Sequence, residues 1–175
     1  MTGRILYVVV AVLAFTIDRI TKLLVQQRLR VGERVDVLGD LLELRHVHNR
    51  GIAFGMFSGA GSIVVVGTLL VGVLLFVFLM RVEPSDLLTI TGGALITGGA
   101  LGNLVDRVQY RYVIDFLHLP NWPTFNAADV WITLGVFAVL LAQTLAIRDE
   151  TRAARAGETS AELMASEKTT GEDIA

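Results

Sequence analysis

The feature that most constrains this chain is the run IVVVGTLLVGVLLFVFLM, Ile63–Met80, which carries no charged side chain. A helix crosses the hydrocarbon of a bilayer with about 20 mostly apolar residues, and this run, about Ser62–Met80 with its flank, meets that length. Three more stretches do the same with polar residues at or near their ends: about Ile5–Val25, Leu87–Val105 and Asp129–Ile147. Hydrophobic residues make up 53% of the 175 and charged residues 18%, where soluble domains carry about 25% charged. The surplus apolar surface therefore has to face lipid. The expected fold is a mostly α membrane protein: one domain, residues 1–147, built as a four-transmembrane-helix bundle. Arg4 before the first stretch looks like the start of a signal peptide. Against that, no small-residue cleavage site follows, and Asp18, Arg19 and Lys22 continue the helical pattern.

The link between the second and third stretches is only Arg81–Asp86 and contains Pro84. So short a connection forces an antiparallel hairpin. The two longer connections then lie together on the other side, and both termini share the side of the short link. Arginines do not decide which side is cytoplasmic. Arg4, Arg81, Arg148, Arg152 and Arg155 fall on one side and Arg28, Arg30, Arg34, Arg45, Arg50, Arg107 and Arg111 on the other. The first long loop alternates apolar and polar residues, with Val35 and Val37, then Leu42 and Leu44, on either side of Gly39-Asp40. That pattern predicts a small β-hairpin or sheet, a platform over about 31–57 able to lie on the membrane surface. From Arg148 onward four basic and seven acidic residues form a polar tail, 148–175, expected as a helical extension or a disordered segment. Nothing in the remainder is basic enough to hold nucleic acid. There is no cysteine, which excludes disulfides, a thiol nucleophile and Cys-ligated metal, and means that the chain is not itself a lipoprotein.

Ionisable residues in or beside membrane helices are costly and are functional candidates by default. Asp18 and Lys22 are four apart and can pair on one helix face. Asp106 and Arg107 close the third stretch, and Asn103 and Arg107, again four apart, can point at one site. Arg107 has three possible partners: Asp106, a nearby carboxylate or substrate. Gly92, Gly93, Gly98, Gly99 and Gly102 leave a small-residue face for close helix approach. Asp115 sits in the apolar frame Tyr-Val-Ile-Asp-Phe-Leu, expected as a strand or buried edge, where an unpaired carboxylate is expensive. Asp129 opens the fourth stretch. As plain structure, Asp129 would be a helix N-cap and Asp115 a partner for an arginine. Pro120 and Pro123 turn the segment between them, so both carboxylates reach the same membrane face. Two close carboxylates share a proton: one stays a base, the other an acid. Such a pair activates water and polarises a scissile carbonyl, with no metal or organic cofactor. No GxSxG or HExxH motif competes with it.

With these residues the chain resembles the lipoprotein signal peptidase (signal peptidase II) family from Ile5 to about Ile147. Five elements carry the resemblance, in the family's order. They are Asp18 with Lys22; Asn49-Arg50-Gly51-Ile52-Ala53-Phe54; the segment Gly99 to Arg107 with Gly102, Asn103 and Asp106; Val113-Ile114-Asp115-Phe116; and Phe125-Asn126-Ala127-Ala128-Asp129. The resemblance implies an aspartic endopeptidase with Asp115 and Asp129 as the catalytic dyad. It implies that Asn49, Gly51, Asn103, Arg107 and Asn126 line the site or bind substrate, with Asp18, Lys22 and Asp106 supporting it. It also implies prolipoprotein substrates cut just before a diacylglyceryl-cysteine held in membrane lipid, in the bacterial inner membrane. The β-platform would lie on the outer face and both termini in the cytoplasm. The family's asparagine-glycine motif usually continues with alanine, where this chain has Ile52. Four spans can enclose such a site without a second copy, so a monomer is expected.

Three other readings compete. His46 and His48, two apart on a strand, face the same way and with an aspartate would suit zinc; His118 is the only other histidine. A small transporter would use membrane aspartates as a proton relay, yet the acids cluster at one surface and no inverted repeat is visible. A scaffold would need only the glycine faces and would tolerate loss of either aspartate.

Overall fold

The structure is a computed structural model that describes residues 2–51 and 86–172. The expected span at 62–80, Ile52 with the end of the platform, and most of the link before Asp86 lie outside those residues. The elements are α1 (Thr2–Arg28), β1 (Arg34–Asp36), β2 (Glu43–Asn49), α2 (Leu87–Tyr110), β3 (Val113–His118) and α3 (Ala127–Glu172). The protein is mostly helical with one small antiparallel sheet. It divides into two compact units, residues 1–139 and 140–175. The second is the rest of α3, helical to Glu172, so the described tail is helix.

Asp86 caps α2: one carboxylate oxygen accepts from the Thr89 N–H at 2.8 Å and the other from the Thr89 hydroxyl at 2.8 Å. These bonds hold its carboxyl below the ordinary carboxylate range. The helix ends at Arg111, left-handed with φ 65°, whose N–H returns to Arg107 O at 3.1 Å. It thus runs past Val105, and Asp106 and Arg107 lie inside it. Successive helical residues point about 100° apart, so these two side chains diverge.

Small residues let α2 approach both neighbours. A Cβ at Gly98 would come 2.5 Å from Ala11 O of α1, and one at Gly135 of α3 would come 2.5 Å from Gly92 O. Outward, α1 exposes Ile5, Val8, Val9, Val12 and Leu13. Two described helices are long and apolar enough to cross a membrane: α2 over Leu87–Tyr110 and α3 over Ala127–Ala153.

The strand order is β1-β2-β3. Val35 faces Leu44 across the hairpin, and Gly39 turns between the strands with φ 52°. The register of β2 on β3 slips between Leu44 and Val47: Leu44 faces Leu117, but Val47 faces Asp115. Two residues, Arg45 and His46, therefore oppose Phe116 alone, a β-bulge. Beyond β3 the chain loops back through Asn121, φ 59°. Phe125 then exchanges backbone hydrogen bonds with Leu117, at 2.7 and 2.9 Å. That exchange sets the start of α3 beside β3.

Candidate active site

The bulge decides which side chains of β2 meet Asp115. Side chains alternate faces along a strand. Without the extra residue, His46 would pair with Asp115 and Val113 would lose Asn49 as its partner. With it, Asn49 pairs with Val113 on the Asp115 face, and its Nδ2 donates to Asp115 Oδ2 at 2.8 Å. Gly51, buried, donates its N–H to Asn49 Oδ1 at 2.9 Å and fixes that amide's orientation.

Asp129 is held by a reciprocal cap at the start of α3. Its N–H donates to Asn126 Oδ1 at 3.1 Å, and Asn126 N–H donates to Asp129 Oδ2 at 3.1 Å. This is a capping box with Asn126 at the N-cap and Asp129 in the first turn. The plain-structure expectation of Asp129 as N-cap is therefore corrected: Asn126 caps, and the Asp129 side chain also has an oxygen for Asn103 Nδ2, at 2.9 Å. Asn126 Nδ2 reaches Asp115 Oδ1 at 2.6 Å and Asn103 Oδ1 at 3.1 Å. Asn126 thus links the two carboxylates, Asp115 through its side-chain amide and Asp129 through its backbone N–H.

Both aspartates line a cavity of about 860 Å³, together with Asn49, Gly51, Asn103 and Arg107. Its remaining wall includes apolar side chains such as Val113, Phe125 and Ile132. Asp115 is 2% exposed. Burial pushes its carboxyl up to about 7; the Asp129 charge adds to the rise, while the Asn49 and Asn126 hydrogen bonds and the Lys22 charge oppose it. Asp115 therefore takes up a proton more readily than an exposed carboxylate does.

Asp18, Lys22 and Asp106 lie behind the cavity, wholly buried. Lys22 Nζ contacts Asp18 Oδ2 and Asp106 Oδ2, each at 2.9 Å. Asp18 Oδ1 accepts from the Ala128 N–H at 2.9 Å, and Asp106 Oδ2 from the Ile114 N–H at 3.2 Å. The second cation on Asp106 is Arg19. Asp106 therefore pairs with α1 and not with adjacent Arg107, which turns to the cavity and donates to Asn103 O at 3.3 Å. Arg107 has no ion pair within 4 Å among the described residues. Sequence alone does not mark Arg19 as a site-supporting residue; its position beside Asp18 is the available signal.

The two histidines meet edge to face, ring centroids 5.1 Å apart, but no acidic side chain joins them in a metal-holding group among the described residues. His46 is buried in the bulge with Nδ1 2.9 Å from Leu29 O. His48 stacks on Tyr112 at 3.8 Å and lines the cavity. Burial, with His46 and Arg50 nearby, lowers the His48 proton affinity. Among the described residues no three His, Cys, Asp or Glu side chains are grouped to hold a metal ion.

A largely apolar cavity with a buried aspartate, Asp115, and a half-buried one, Asp129, at the end of an apolar helix points to a membrane-associated protein. Comparison with known proteins sharpens that class. The profile of Signal peptidase (SPase) II matches residues 10–145. The lipoprotein signal peptidase of Halothermothrix orenii is 36% identical over 133 residues, 76% of this chain and 91% of that protein. That of Brucella ovis is 37% identical over 147 residues, 81% of this chain and 91% of the other. A solved bacterial membrane enzyme superposes with a TM-score of 0.73 at 27% identity, covering 79% of this chain and 87% of its own. The chain belongs to the signal peptidase II family of proteases.

Proposed function

We propose that this protein is a membrane-embedded aspartic endopeptidase that removes the signal peptide from diacylglyceryl-modified prolipoproteins, cutting just before the lipidated cysteine. The observation that carries the reading is the pair Asp115 and Asp129 on one cavity, bridged by Asn126. Water sits between the carboxylates. Asp129, at a helix N-terminus that favours negative charge, takes a proton as the water attacks the scissile carbonyl. Asp115, whose burial favours its protonated form, polarises that carbonyl. The proton gained by Asp129 then passes to the leaving amine. Asn49, Asn103 and Asn126 hold the carboxylates, Gly51 holds Asn49, and Arg107 faces the peptide or the lipid head group. Asp18, Lys22 and Asp106 support the wall from behind.

The chain crosses the bacterial inner membrane four times as a monomer, with residues 62–80 and α1 as further spans. The site lies near the outer face and both termini in the cytoplasm. Supporting this, the cavity lined by Asp115 and Asp129 gathers at the C-terminal end of α2, the end opposite Asp86. The membrane supplies the lipid that holds the substrate's acyl chains.

Cleavage of a diacylglyceryl-modified prolipoprotein in detergent, by wild type, Asp115→Asn and Asp129→Asn, with and without chelator, tests the reading. Each folded variant is expected to lose nearly all activity, and chelator to do nothing. Full activity in either folded variant removes the dyad.

A further inference from the structure

Lys22 is not among the residues that line the cavity, yet it touches one that is. An ammonium has three hydrogens to donate, and Lys22 Nζ meets three oxygens: Asp18 Oδ2 and Asp106 Oδ2 at 2.9 Å and Asn103 Oδ1 at 3.0 Å. The two carboxylates, with Arg19 as second cation, already balance the buried charge. The third contact is to a neutral amide whose other end faces the reacting pair.

The two ends of an asparagine amide are nearly equal in shape, so only its partners select the orientation. Asn103 Oδ1 accepts from Lys22 Nζ at 3.0 Å and from Asn126 Nδ2 at 3.1 Å, while Nδ2 donates to Asp129 Oδ1 at 2.9 Å. Turned over, the amide would set donors against donors at one end and oxygen against a carboxylate at the other. A buried ammonium makes that reversal far more costly than a second amide alone would.

We propose that Lys22, without reaching the cavity, is a positioning residue of the reaction: its ammonium locks the Asn103 amide in the orientation that holds Asp129 for attack by water. This rests on the dyad reading above and gives the buried cluster a part in it. The Lys22 charge also opposes the upward push on Asp115, so its loss moves the pair's titration to higher pH. The other charged or titratable groups near the pair are Arg107 and Asp106 on α2, Asp18 on α1, and His48 and Arg50 on and after β2.

The test uses the full chain in detergent and a diacylglyceryl-modified prolipoprotein, with wild type and Asp115→Asn run alongside. Asp18→Asn with Lys22→Met removes the ammonium and one carboxylate together. It leaves Arg19 and Asp106 as a balanced pair and keeps an acceptor for the Ala128 N–H. Asp18→Asn with Lys22→Gln keeps the same balance and restores a neutral donor. Folding is read by monodisperse elution and thermal unfolding. The methionine variant is expected to lose about 100-fold in kcat, the scale of a misplaced catalytic group. Its KM should be little changed and the alkaline limb of its pH–rate profile displaced upward. The glutamine variant should recover part of kcat but keep the displaced limb. A folded methionine variant with the wild-type kcat and pH profile overturns the proposal, as does equal loss in both variants with an unmoved profile. If only the glutamine variant folds, a displaced limb supports the proposal and a wild-type limb overturns it. Failure of both to fold makes Lys22 a support of the bundle alone and overturns it too. An active Asp115→Asn enzyme would instead sink the dyad reading.

Discussion

Replacing Asp115 with asparagine should abolish cleavage and yet stabilise the protein at alkaline pH. The carboxyl titrates near 7 in the folded chain because burial and the Asp129 charge disfavour its ionised form; in an unfolded chain it titrates near ~3.9. Between those values the native state holds a proton that the unfolded state has released. Stability is therefore fully present below the unfolded value and is lost as pH rises through about 7. A gap of about 3 units at 1.36 kcal/mol each corresponds to about 4 kcal/mol of cost in the ionised wild type. The substitution removes that cost. It also sets an amide N–H against one of the two donors, Asn49 Nδ2 or Asn126 Nδ2, that now meet the carboxylate oxygens. That mismatch costs about 1–2 kcal/mol.

The difference should accordingly change sign with pH. At pH 8 the variant should be more stable by about 2–3 kcal/mol, and at about pH 3, where the unfolded chain also keeps its proton, less stable by about 1–2 kcal/mol. Unfolding of the purified full chain in detergent, at both pH values and with one probe, measures this directly. A variant less stable than wild type at both would mean that Asp115 is not held against its own ionisation, and the division of roles between the two carboxylates would lose its basis.

Three further outcomes follow from the same geometry. Gly102→Ala would drive a methyl into the Asp18 carboxylate and part it from Lys22 and the Ala128 N–H; thermal unfolding should register a loss of about 3 kcal/mol, the scale for breaking a buried ion pair, and a wild-type melting curve would contradict the packing. Asn49→Ala removes a donor that holds the Asp115 proton affinity down, so the alkaline limb of the cleavage profile should move above its wild-type position. Asn126→Ser keeps an N-cap for α3 but not the bridge to Asp115 and Asn103. It should therefore unfold within about 1 kcal/mol of wild type while cleaving at least about 100-fold more slowly; near-normal turnover would show that the bridge is dispensable.

How far the sequence foretells this arrangement depends on whether the cause is local. The helices at 5–25, 87–105 and 129–147 lie within α1, α2 and α3, because apolar runs and an Asp86 cap are properties of neighbouring residues. The hairpin around Gly39 and the strand holding Asp115 are legible for the same reason: alternation and a turn residue are short-range signals. The meeting of the aspartates is not short-range. It depends on the exchange between Leu117 and Phe125 and on the extra residue in β2, neither of which has a signature in composition or spacing. Alternation along an unbulged strand would set both His46 and His48, whose rings meet edge to face at 5.1 Å, on the face of Asp115, the arrangement a histidine metal site needs. The bulge instead places Asn49 on the Asp115 face and leaves His46 buried against Leu29. The partner of Asp106 was hidden likewise: Arg107 is adjacent in sequence, but helical geometry turns it away and brings Arg19 from α1. A one-residue irregularity in a short sheet and a 100° step on a helix thus divide the polar residues into two sets. One set meets the cavity, the other is sealed behind it, and among the described residues the hydrogen bond from Lys22 across that division goes to Asn103.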